Sequence, residues 1–142
     1  MGEPSQVPER SKVYLDTPYI LVRWDGDGPW VYVKWKAWAN SAEYREAQEI
    51  ILVALRENRA SRNLIDSTDR KVFTEDDQRW LVENWMPRAT AAGRRWTAIV
   101  LPKSPLGRTI AENIDKLPQS KRINVRLFET VDDAAAWLST VN

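Results

Sequence analysis

Residues 63–101 carry the pattern that most narrows what this chain can fold into. A short apolar run with Leu64 and Ile65 ends at Asp66, a polar loop follows through Ser67, Thr68, Asp69 and Arg70, and a second apolar run occupies 96–101. Between them lies a helical stripe of Leu81, Trp85, Ala89 and Ala92 that stops at Gly93. Strand, polar loop, capped helix and strand, in that order, are the unit of a parallel α/β sheet. The run at 96–101 is almost continuously apolar, which suits a strand covered on both faces. Thr74, with Asp77 three residues on, has the spacing of a capping box and marks the helix start. Pro87 supplies no N–H inside that helix, so a kink is expected near Glu83.

The rest of the chain extends the same plan. Ile20, Val22 and Trp24 alternate with Tyr19, Leu21 and Arg23; after a Gly- and Asp-rich turn at 25–29, Val31, Val33 and Trp35 alternate with Trp30, Tyr32 and Lys34. Two period-two runs around such a turn predict an antiparallel hairpin. Asn40 and Glu43 have capping-box spacing, and Tyr44, Ala47, Ile51, Ala54 and Leu55 then recur at helical intervals to about residue 58. Ser104 and Pro105 open another helix, through residue 113. Residues 125–128 read as the last strand, and Thr130 with Asp133 caps a closing helix that turns Ala134 and Leu138 inward. The predicted fold is α/β, in the order β-β-α-β-α-β-α-β-α. It is one mixed sheet, antiparallel hairpin first and parallel strands after, with about four helices. Residues 1–12, polar and holding Pro4 and Pro8, read as a flexible N-terminal arm, and residues 13–142 as a single domain.

Composition removes whole classes of chemistry. The chain has neither His nor Cys, so the usual ligands of zinc, copper and haem are missing, and so is every Ser-His or Cys-His catalytic pair. Only hard cations held by carboxylates remain open, and no metal or cofactor is expected. An enzyme on this chain would need Asp, Glu, Lys or Tyr with a displaced pKa. With 21 basic and 20 acidic residues mixed along the chain, net charge is +1, which is no footprint for nucleic acid and no polybasic membrane anchor. No apolar run approaches the roughly 20 residues that span a bilayer, and the first residues lack a signal-peptide core. The expectation is a soluble cytoplasmic protein without membrane insertion.

The order of elements, and several residues within it, resemble the STAS superfamily, in particular its SpoIIAA-like branch of small bacterial domains. The resemblance spans about residues 19–138. It rests on Leu64, Ile65 and Asp66 leading into Phe73 and Thr74 to Asp77, on Trp80, on Trp85, Met86 and Pro87, on Ala92 and Gly93 before Ala98, Ile99 and Val100, and on Phe128 with Ala134, Trp137 and Leu138. It implies a sheet with helices packed on it and a role in binding or regulation, sometimes of lipidic or nucleotide ligands, in place of catalysis. Sporulation antagonists of the superfamily carry a switch Ser where this chain has Thr74, Glu75, Asp76 and Asp77. A phosphate added among those acids would be repelled, which argues against that switch and against its anti-sigma-factor partner.

In open α/β sheets ligands sit beyond the carboxyl ends of the strands. That rule selects Asp66, Thr68, Asp69 and Arg70 after one strand, Lys103 and Ser104 after the next, and the helix start at Thr74. Arg70 and Lys103 would supply charge and the helix starts N–H donors for a small anionic or lipidic ligand. The same residues also have an architectural reading, Thr74 and Ser104 as helix caps and Asp69 and Arg70 as turn residues. Carboxylates of the loop would be the machinery of a small enzyme if one of them had a pKa raised toward neutrality. A second surface is the mixed aromatic and basic side of the hairpin, with Tyr19, Leu21, Arg23, Trp30, Tyr32 and Lys34. It suits a protein partner or a homodimer unless an element of the same chain covers it.

Overall fold

The hairpin strands, β2 (Ile20–Asp25) and β3 (Trp30–Trp35), pair antiparallel with Val22 opposite Val33 and Trp24 opposite Val31. The computed structural model describes residues 11–70, 73–118, 120 and 124–141, so the arm expected over residues 1–12 lies outside the described residues up to residue 10. Lys12 already belongs to an additional strand, β1 (Lys12–Asp16), antiparallel to β2 and broken by a register shift between Val13 and Leu15. Three apolar residues with a bulge among them show no readable alternation.

Beyond the hairpin the sheet turns parallel, through β4 (Arg62–Asp66), β5 (Trp96–Val100) and β6 (Val125–Phe128), giving six strands in sequence order. The chain crosses between them through α1 (Ser41–Glu57), a bent helix in two halves, α2 (Glu75–Trp80) and α3 (Met86–Ala91), and α4 (Pro105–Asp115). A last helix, α5 (Val131–Leu138), follows β6. The architecture is the mixed α/β sheet that the alternation predicts.

Local chemistry accounts for the helix ends. Asn40 caps α1 with a complete capping box, its side chain accepting from Glu43 N–H at 2.8 Å while the Glu43 carboxylate accepts from Asn40 N–H at 3.0 Å. Ser104 and Thr130 cap α4 and α5 through single bonds to Gly107 N–H and Asp133 N–H. Thr74 caps α2 through Asp77 N–H at 3.1 Å, but the box expected there is half made. The Asp77 carboxylate turns away, only 2 % exposed, and accepts from Ser41 Oγ at 2.7 Å and Arg45 Nε at 3.0 Å, tying α2 to α1. Pro87 acts where its missing donor predicts. The turn before it, Leu81–Trp85, widens to a π-helix closed by Met86 N–H on the Leu81 carbonyl.

Two cores lie on the two faces of the sheet. Ile20, Val22, Val31, Val33 and Trp35 pack under α1 and α3, whereas Leu64, Ala98 and Val100 pack with Ala134 and Leu138 of α5 on the opposite face. On the first face, Ile65, Thr97 and Ile99 lie where α1 and α4 leave a gap between them, and that gap is a cavity.

Candidate functional site

At the carboxyl ends of β4 and β5 most of the expected ligand group is present, and it is occupied with itself. Asp66 is 4 % exposed, and its Oδ1 accepts from Thr68 N–H at 3.0 Å and Thr68 Oγ at 2.6 Å while Oδ2 accepts from Lys34 Nζ at 3.2 Å. Asp69 lies 3.5 Å from the same Lys34 ammonium and 3.4 Å from Lys103. Burial alone would raise the Asp66 pKa, but the two Thr68 bonds and the Lys34 charge outweigh it and hold the carboxyl below its ordinary value. A general acid near neutrality needs the opposite shift. Thr74 and Ser104 spend their hydroxyls on the helix ends they cap. Among the described residues no group of three or more acids converges as a metal site.

Arg70 leaves this group and enters the other face of the sheet. Its guanidinium carbon lies 3.9 Å from the Phe73 ring centroid, 4.6 Å from Trp35 and 5.2 Å from Tyr44. Three aromatic faces around one cation replace much of the water it loses. Burial lowers the Arg70 pKa, and attraction to Tyr44 and Asp77 offsets part of that; burial also pushes the Tyr44 phenol up to about 12.

This aromatic box closes one end of the cavity between sheet and helices. Ile65, Thr97, Ile99 and Val125 form its floor, Ile110, Ala111 and Ile114 of α4 one wall, and Gln48, Leu81, Trp85 and Met86 the other. Its volume is about 90 Å³, several times the roughly 10–15 Å³ that one water requires. A mostly apolar space with few polar groups is the usual form of a small-molecule site.

Arg94 stands at the opposite end, before β5, one strand from the aromatic box. It is 3 % exposed, its guanidinium lies 4.9 Å over the Trp85 ring, and Nε and Nη2 have no hydrogen-bond partner. Burial pushes it down to about 9, so it keeps its charge at neutral pH. The Thr97 hydroxyl, on the cavity floor, is also buried without a partner. Neither residue stood out in the sequence, yet one signal for Arg94 exists. Gly93, at φ 106°, donates to the Thr90 carbonyl and Arg94 N–H donates to the Ala89 carbonyl, which is the Schellman ending of a helix. In that motif the residue after the glycine packs back on the helix and is usually apolar. A charged residue after a helix-ending glycine therefore marks an anomaly that sequence reasoning can find.

The hairpin surface requires a correction. Trp30 is not on an open face: it is 8 % exposed and packs in the core with Leu64, Ala134 and Leu138, because α5 lies over that side of the sheet. Tyr19, Leu21, Arg23, Tyr32 and Lys34 remain half-buried. Arg23 stacks on the Tyr32 ring at 4.8 Å with its Nη2 3.7 Å from the Asp25 carboxylate, though its buried Nε has no hydrogen-bond partner, and Lys34 belongs to the Asp66 group.

No helix among the described residues is long and apolar enough to cross a membrane. Comparisons with protein-family models, curated proteins and solved structures found no match to this chain.

Proposed function

We propose that this chain is a non-catalytic binding or regulatory module of the STAS, SpoIIAA-like kind, and that it holds a small apolar molecule between its sheet and its crossover helices. The observation that carries the reading is the cavity of about 90 Å³ with its aliphatic and aromatic lining. A close-packed interior does not leave such a space without cost, since voids forfeit dispersion contacts on every wall. The expected site at the strand ends supports binding less well, because Asp66, Asp69, Lys34 and Lys103 neutralise one another.

Trp35 and Trp85 both line the cavity, so their emission reports occupancy directly. Titration with 1-octanol should change it saturably and raise the thermal midpoint. Ala111→Phe, which places a ring into the space from α4, should leave the fold intact and abolish the response. A linear, unsaturable response in the wild type, or one unchanged by Ala111→Phe, would overturn the reading.

A further inference from the structure

We propose that Arg94 and Thr97 form an anion site at the amino end of the cavity, so that the molecule bound there is an amphipathic carboxylate, its charged end on Arg94 and its apolar body running toward the aromatic box. The inference rests on the reading of the cavity as a ligand site and adds the charge of the ligand to it.

Arg94 is a cation almost wholly removed from water, and no described carboxylate forms an ion pair with it. Buried charges are ordinarily paired, because taking an ion out of water is costly unless a partner replaces the solvent. Among the described residues the Trp85 face is its one close aromatic neighbour, a weaker arrangement than the three rings around Arg70.

The orphaned atoms also have a direction. Nε and Nη2 are the two nitrogens of one guanidinium edge, whose N–H bonds point the same way and match the two oxygens of a carboxylate. The Thr97 hydroxyl lies on the cavity floor with its own hydrogen-bonding capacity unused, and can donate a third bond to the same anion. Past these groups the lining turns apolar, with Ile99, Ile110 and Ile114. Arg70, at the far end of the cavity, also has a buried Nη2 without a hydrogen-bond partner, but three rings enclose it, so Arg94 with Thr97 is the end that fits a carboxylate and the aliphatic lining takes the chain attached to it.

The test compares octanoate, 1-octanol and octylamine, which share a chain and differ in charge, by calorimetry and tryptophan emission on the full chain. Wild type should bind octanoate about tenfold or more tightly than 1-octanol, as expected for a hydrogen-bonded charge pair, and octylamine least. Arg94→Met should keep 1-octanol binding and lose the preference for octanoate. Thr97→Val should weaken octanoate several-fold without affecting 1-octanol. Equal binding of octanoate and 1-octanol by the wild type, a result that needs no variant to fold, overturns the anion site and leaves the apolar cavity standing. A preference that survives Arg94→Met overturns it as well. Failure of all three probes to bind overturns the ligand reading itself, and the anion site with it.

Discussion

The Arg94 guanidinium lies 4.9 Å over the Trp85 ring, in the one position of the helix ending where an apolar side chain would be expected to pack. That placement sets a charge against stability. Replacing Arg94 by Met keeps a flexible apolar side chain against Trp85 and removes the unpaired charge. Arg94→Met should therefore stabilise the ligand-free protein by about 1–4 kcal/mol, as replacement of buried ions by apolar side chains does elsewhere. The sign of the pH dependence follows from the lowered pKa. Between about 9 and the higher ordinary arginine value, the unfolded chain holds a proton that the folded chain has released, so stability linked to Arg94 rises with pH across that window. Its cost is complete below the window. Urea midpoints of the two proteins should differ most near about pH 7 and converge as pH rises above about 9.

Thr74 and Asp77 separate two roles that their spacing merges. Thr74→Ala removes one cap bond and should cost about 1 kcal/mol. Asp77→Ala removes a buried acceptor shared by Ser41 and Arg45 and should cost more, about 2–3 kcal/mol, because one of the lost bonds carries charge. Equal losses in chemical denaturation would show that the carboxylate contributes no more than the cap.

How much could be read in advance depended on whether the signal was local. Asn40 with Glu43, Ser104 with Pro105, and the alternation of Val31, Val33 and Trp35 act within a few residues, and those helix starts and the hairpin stand as expected. Pro87 disturbs its helix in the preceding turn for the same reason. Long-range contacts were less visible. Whether Trp30 faced solvent depended on α5, about a hundred residues later, and nothing at Trp30 itself records that cover. Arg70 was legible as a cation at a strand end, but its turn into Trp35 and Tyr44, beside the nearby Phe73, depends on two other elements, β3 and α1. The cavity was not legible, since its walls come from α1, α3, α4 and four strands, and an empty space leaves no periodicity.

Asp66 should make the fold sensitive to acid. Its pKa is held below the ordinary 3.8 by Thr68 and Lys34 against the opposing effect of burial, so it contributes stability that is complete above the unfolded value and is lost as pH falls through the lower folded one. Asp66→Asn keeps an oxygen for Thr68 but gives up the Lys34 charge. The variant should be less stable than wild type at neutral pH, by about 2 kcal/mol, and the difference should shrink below about pH 4. A difference constant from neutral to acid pH would show that Asp66 is not ionised in the folded state.

Trp30 provides the sharpest contrast between an interface residue and a core residue. At an open interface its removal would change the state of association and leave the protomer folded. Here its ring packs with Leu64, Ala134 and Leu138, and the Arg62 guanidinium lies over it at 5.9 Å. Truncation opens a hole between β3 and α5 that neighbouring side chains fill only in part. Trp30→Ala should therefore cost about 3–5 kcal/mol of stability, the range for loss of a buried large aromatic. Because the contacts lie within one chain, the denaturation midpoints of wild type and variant should differ by the same amount at every protein concentration. A gap that widens on concentrating the protein would return Trp30 to an interface between copies.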